Sequence, residues 1–177
     1  MFVLDTNVIS ELRKAGDGKA DANVVAWLDS VDAATFYLSA VTLMELELGI
    51  LLMERRDPNQ GARLRTWMDR HIVPEFAERT LPVDTAVALR CARLHVPNPC
   101  AERDGFIAAT ALVHGMTIVT RNVADFESTG VEIINPWHHS ACRSANPVKI
   151  DRKTREVLRP GRNGSGGRRS LFAERGP

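Results

Sequence analysis

Three apolar residues, Phe2, Val3 and Leu4, give way abruptly to Asp5, Thr6 and Asn7, and this break constrains the whole chain. Large or β-forming side chains that stop at a polar turn read as a short buried strand. In a parallel sheet such a strand puts Asp5 at its carboxyl edge, where open α/β sheets build their ligand sites. What else reaches that edge decides the chemistry.

The same kind of break recurs down the chain. Phe36, Tyr37 and Leu38 before Ser39 predict a second strand, and residues 116–120, ending in Thr120-Arg121-Asn122, predict another of the buried parallel type. Residues 80–83 and 132–134 predict two shorter ones. Between them the spacing predicts helices over 8–12, capped by the Asp5-Thr6-Asn7 turn, over 22–31, and over the almost uniformly apolar 41–56. A turn at 57–61 precedes a helix over 62–72, and these last two form a helical hairpin projecting from the sheet. Asp84 caps a helix through Val87 and Leu94, and residues 101–114 form one more, ended by Gly115. Strand, helix and strand in this order predict an α/β fold with parallel crossovers.

Composition separates the chain into two unlike parts. Residues 1–137 carry 13 Lys+Arg and 19 Asp+Glu, a net −6, whereas residues 138–177 carry 10 and 3, a net +7. The stretch 159–169 is basic, Gly-rich and almost free of apolar residues, so the expected organisation is a folded domain over 1–138 and a basic, disordered tail over 139–177. No apolar run approaches the roughly 20 residues a bilayer needs, and no secretory leader is visible, which makes the cytoplasm the expected location. Cys91, Cys100 and Cys142 are odd in number and widely spaced, and read as plain thiols rather than a disulfide or zinc framework.

Several acids stand at element ends. Asp5 ends a strand, Glu45 falls in the first turn of a buried helix, Asp104 sits early in another, and Asn122 with Asp125 follows a strand. Carboxylates gathered at one edge repel one another unless protonated or neutralised. A divalent cation neutralises them, and hard oxygen ligands favour Mg2+ or Mn2+ over zinc. Taken singly, each has a structural reading. Asp5 caps a helix, Thr42 to Glu45 matches a capping box, Asp104 meets a helix dipole, and Asn122 and Asp125 are turn formers.

Four ordered motifs go further. Leu-Asp-Thr-Asn-Val-Ile-Ser at 4–10, Ser-Ala-Val-Thr-Leu-Met-Glu-Leu at 39–46, Asp-Gly-Phe-Ile-Ala-Ala-Thr-Ala at 104–111 and Val-Thr-Arg-Asn-Val-Ala-Asp-Phe at 119–126 resemble the PIN-domain family, in its VapC and FitB-like toxin branch. The closing Asn-Pro-Trp at 135–137 resembles it too. The resemblance implies a three-layer α/β/α sandwich around a central parallel sheet. It also implies a Mg2+-dependent endoribonuclease, the toxin of a type II toxin–antitoxin system, hydrolysing RNA phosphodiester bonds.

Carried over by motif, Asp5, Glu45 and Asp104 are the acidic ligands. Asn122 stands where some relatives have Asp, and Asp125 falls where others carry an acid, so either one completes the set, around one or two metal ions. In this scheme Asp5 and Asp104 bind the metal, Glu45 orients the attacking water, and Thr6 and Asn7 hold Asp5. Thr120 or Arg121 contacts the scissile phosphate, with Arg13, Lys14 and Arg121 tracking the RNA backbone. Implied partners are RNA, a cognate antitoxin, a second copy in a homodimer, and operator DNA only through the antitoxin; no membrane is involved.

Two other readings stand beside this one. The first is a catalytically weak PIN-like binding module that acts through its antitoxin–DNA complex. The second, a phospho-receiver, needs an adjacent acidic pair after the first strand and a late strand-end Lys, which Thr6-Asn7 and Thr120-Arg121 do not provide. Glu102 reads as a solvated helix-end charge, the three tryptophans as core or interface anchors, and the five histidines as uninvolved in catalysis.

Overall fold

The computed structural model describes residues 1–16 and 18–138; the predicted tail, 139–177, lies outside the described residues. Its strands are β1 (Phe2–Leu4), β2 (Phe36–Ser39), β3 (Thr80–Leu81), β4 (Thr117–Val119) and β5 (Ile133–Ile134). They form one sheet in the order β3-β2-β1-β4-β5, parallel at every pairing. The first strand is central, with Val3 opposite Tyr37 on one side and Ile118 on the other.

Because side chains alternate along a strand, the sheet feeds two cores. Leu4, Phe36, Leu38 and Val119 point to one face, while Val3 and Ile118 point to the other. Helices α1 (Thr6–Gly16), α2 (Ala22–Ser30), α3 (Ala40–Arg56) and α4 (Pro58–Trp67) close the first face with Val8, Ile9, Trp27, Ile50 and Trp67. After a π-helical turn at Met68–Ile72 and the short α5 (Val73–Glu75), α6 (Thr85–Leu94) packs on α7 (Glu102–Val113) through Val87, Cys91 and Ala109. The second face is closed by α7 with Ile107 and Ala108 and by α8 (Val123–Glu127) with Phe126. This is the expected three-layer α/β/α sandwich. No helix among the described residues is long and apolar enough to cross a membrane.

Element boundaries differ from expectation where caps are at issue. The residues 57–61 begin α4 instead of forming a turn, since the Asp57 carboxylate accepts from the amides of Asn59 and Gln60, both at 3.1 Å, and Pro58 sits at the first helical position. Helices α3 and α4 pair as the expected hairpin, and Leu46, Ile50 and Trp67 join the core that contains Leu4. Helix α3 is capped by Ser39, whose hydroxyl accepts from the Val41 amide at 3.2 Å, so the Thr42–Glu45 capping box does not form and Glu45 lies in the second turn. Asp84 caps α6 as predicted, accepting from Val87 at 2.9 Å. The turn expected around Asn122 and Asp125 continues into α8.

Two contacts fix how the first layer sits. Gly61 faces α3 so closely that a Cβ there would stand 2.4 Å from the Glu54 Cα and 2.6 Å from its amide nitrogen. Glu11 on α1 is buried and accepts from the Asp21 amide and from Lys14 Nζ, each at 2.8 Å, tying α1 to the start of α2. Burial pushes its carboxyl up, but the Lys14 hydrogen bond, the Asp21 amide and the Lys14 charge outweigh burial and hold it below the ordinary 4.5.

Gly61→Ala will therefore force the two helices apart and cost about 1–3 kcal/mol, read as a lower urea midpoint at unchanged slope. For Glu11, a depressed folded pKa means its stabilisation is complete above the unfolded value and is lost as pH falls below 4.5. Glu11→Gln should thus cost about 1 kcal/mol at pH 7, and the gap to the parent should narrow on acidification toward pH 4. A gap that widens on acidification would contradict this.

Candidate active site at the carboxyl edge of the sheet

Asp5 follows β1 directly, and its amide donates to the Val119 carbonyl at 3.0 Å, so the ladder carries it to the end of β4. Thr120, the residue after β4, arrives beside it in the same way, with its amide on the Ile134 carbonyl. Adjacent parallel strands thereby bring two residues 115 apart in sequence into contact.

Asp5 is buried, and donors surround its carboxylate. The Thr6 amide donates to Oδ1, while Asn7 Nδ2 and the Thr120 hydroxyl donate to Oδ2, all at 2.6 Å. Asn7 Nδ2 also reaches Thr120 Oγ1 at 3.0 Å, and its Oδ1 accepts from the Arg121 amide at 3.2 Å. The Asn122 amide donates to the same Thr120 hydroxyl at 3.0 Å. Asn7 and Thr120 thus lock the ends of β1 and β4 around one carboxylate. Thr6 turns its hydroxyl to Glu45 Oε2, 2.5 Å away, joining α3 to the group.

Burial is the main reason the Asp5 carboxyl stays above its ordinary 3.8; the hydrogen bonds from Thr120, Thr6 and Asn7 pull it down, and the Glu45 charge pushes it up. Asp104, in the first turn of α7, is pushed up to about 6, first by burial and then by the charges of Asp125, Asp5 and Glu45, with Arg103 opposing. Four carboxylates from four separate elements therefore share one electrostatic neighbourhood, and its excess negative charge is only partly offset.

Asp5, Thr6, Asn7, Glu45 and Thr120 are joined by hydrogen bonds, and Asp104 and Asp125 are joined to them through the field. Asn122 is exposed and makes no side-chain cap to α8, whereas Asp125 is the charge felt most strongly at Asp104. Glu102 acts elsewhere, its charge being felt at Cys91. Thr120 is fully buried, with its hydroxyl donated to Asp5. Lys14 is engaged by Glu11. Arg121 is exposed, with its guanidinium 5.7 Å above the ring of half-buried Trp137. Trp27 and Trp67 are core residues.

Sequence reasoning missed Arg103. Its guanidinium lies 3.7 Å from Glu45 Oε1, and only its position next to Asp104 hinted at a place in the site. An open groove of about 560 Å3 runs off beside Asp125, bordered by Arg121, Asn122, Asn135 and His138.

Among the described residues no three acidic, His or Cys side chains converge tightly enough to enclose an ion by themselves. The donors are all oxygen, and their negative charge is only partly offset by Arg103. That combination fits a hard cation held by one or two carboxylates with water completing its shell, as Mg2+ prefers, and does not fit zinc.

The chain is similar to known proteins. Residues 2–131 match the PIN domain family. The chain is 40% identical over 145 residues to VapC ribonuclease Y4jK of Sinorhizobium fredii, covering 77% of this chain and 98% of that protein. It is also 40% identical over 144 residues to Toxin FitB of Neisseria gonorrhoeae, covering 78% and 99%. A solved structure of FitAB bound to an IR36 DNA fragment superposes with a TM-score of 0.70 at 39% identity, over 79% of this chain and 98% of that one. The chain with Asp5 at the centre of its sheet edge therefore belongs to the PIN-domain family, in the branch that holds the VapC ribonucleases and the FitB toxin.

Proposed function

We propose that this chain is a Mg2+-dependent endoribonuclease and the toxin of a type II toxin–antitoxin pair. The observation that carries the reading is the gathering of Asp5, Glu45, Asp104 and Asp125 at one sheet edge, where burial and like charge push the Asp104 carboxyl up to about 6. Such a cluster is unfavourable for the fold alone and is suited to a cation. Asp5 and Asp104 would hold that cation, Mn2+ serving as well as Mg2+, and Asp125 is the fourth acid in preference to Asn122. When bound, the ion neutralises charge on the phosphate and makes a bound water more acidic.

The chain's own residues do the rest. Glu45, held by Thr6, accepts a hydrogen bond from the attacking water and orients it. Thr6, Asn7 and Thr120 keep Asp5 in one rotamer, which fixes the geometry of the site. Arg121, exposed at the mouth, takes the scissile phosphate. RNA lies along the groove beside Asp125. The antitoxin covers the acidic edge with a basic side chain, the protein works as a homodimer, and operator DNA is met only through the antitoxin. The relatives named ribonuclease and toxin, and the FitAB complex on DNA, support this assignment.

Asp5→Asn and Asp104→Asn should each lower RNA cleavage by antitoxin-free protein about 100-fold or more, with circular dichroism unchanged. Retained cleavage in both would overturn the assignment. Asp104→Asn carries a second expectation. A carboxyl raised to about 6 destabilises the fold once ionised, so in chelator above pH 6 the variant should melt about 2–4 °C higher than the parent. The difference should shrink as pH falls through 6 and vanish below 3.8, where the carboxyl is protonated in both the folded and unfolded chain.

A further inference from the structure

Cys91, His95 and Cys100, which read from the sequence as unrelated side chains, converge where α6 ends and α7 begins. The Cys91 Sγ lies 3.8 Å from His95 Nε2, and the Cys100 Sγ lies 3.9 Å from Nδ1 and 4.0 Å from Nε2 of the same ring. All three crowd over Gly105. A Cβ there would stand 3.0 Å from the Cys100 sulfur, 3.1 Å from His95 Nε2 and 3.3 Å from the Cys91 sulfur. Both sulfurs thus face one spot that is free only because residue 105 has no side chain. Both are free thiols, Cys91 buried and Cys100 half-buried.

We propose that Cys91 and Cys100 form an oxidisable dithiol centre, with His95 as its base and a hydroperoxide as its oxidant. Cys100, the more accessible sulfur, gives its proton to His95. The thiolate takes one peroxide oxygen and becomes a sulfenic acid; the O–O bond breaks, and the leaving oxygen takes the proton from His95. Cys91 then attacks the Cys100 sulfur, an S–S bond forms, and the sulfenic oxygen leaves as water with the Cys91 proton. Two thiols are oxidised, and hydrogen peroxide is reduced to two waters. The order follows from the surroundings. Burial first, then the charges of Cys100 and Glu102, push the Cys91 thiol up, which keeps it protonated until Cys100 has reacted. Because Gly105 directly follows Asp104, the bond would tether the end of α6 to the segment leading into the acidic site.

The test uses the full chain carrying Cys142→Ser, reduced, freed of reductant and exposed to equimolar hydrogen peroxide. The expected product is a monomer lighter by two hydrogen atoms, whose peptide map links Cys91 to Cys100. Cys91→Ser in the same background should stop at a sulfenic acid on Cys100 that dimedone captures. His95→Gln should slow disulfide formation about tenfold. Two thiols that both remain alkylatable, or disulfides found only between chains, would overturn the proposal. So would oxidation of Cys100 to sulfinic or sulfonic acid with Cys91 still free. If Cys142→Ser fails to fold, the peptide map of the unsubstituted chain separates the same outcomes. These readouts follow sulfur and not RNA, so they stand apart from the nuclease reading.

Discussion

A carboxylate buried at the junction of two parallel strands sets the terms for the rest of this molecule. Asp5 has no place in a sheet edge unless something satisfies it, and three donors do so at 2.6 Å. One is its own neighbour's amide, one is the Asn7 side chain two residues on, and one is Thr120, just past the end of the adjacent strand. Those donors in turn fix the start of α1 and the loop after β4. With Thr6 turned to Glu45, the position of α3 follows as well. The layer of helices and the acidic edge are therefore aspects of one packing solution, in which the Asp5 carboxylate enters the interior as part of a hydrogen-bonded network.

The network quiets Asp5 but not the charges around it. Asp104 has burial, three like-charged neighbours and one exposed arginine for relief, and its carboxyl is correspondingly hard to ionise. The fold tolerates the tension because cores above and below the sheet supply apolar burial far from the edge, with Leu4, Ile9, Ile107, Ile118 and Val119 fully enclosed. Stability and site chemistry thus occupy different layers of the same sheet, and loss of an acid relaxes the first at the expense of the second.

Much of this was legible in the sequence because strand ends and helix patterns are local. The breaks at Asp5, Ser39 and Thr120 mark carboxyl edges, and apolar spacing marks the buried faces; both depend only on neighbours within a few residues. Asp57-Pro58 reads as a turn because a cap and a turn use the same residues, and only the helix that follows tells them apart. The roles of Thr120, Arg103 and Asp125 are harder to read, since each depends on a partner tens of residues away whose direction no local pattern encodes. Thr120 looks free to touch substrate in the sequence, and only the fold shows it buried against Asp5. The meeting of Cys91, His95 and Cys100 over Gly105 is invisible for the same reason, because it arises from how α6 leaves and α7 enters.

The central place of β1 in the sheet also sets a timetable. β1 leaves the ribosome before either partner and pairs with β2 some thirty residues later, but its other edge waits for β4, whose Thr117 to Val119 emerge more than a hundred residues after it. Synthesis at about 5–20 residues per second leaves that edge open for about 6–23 seconds. Until β4 docks, Asp5 lacks Thr120, and Asp125 is not yet near Asp104. A ribosome-bound chain can thus assemble much of its first layer, while the acidic edge comes into being only in the closing step of folding.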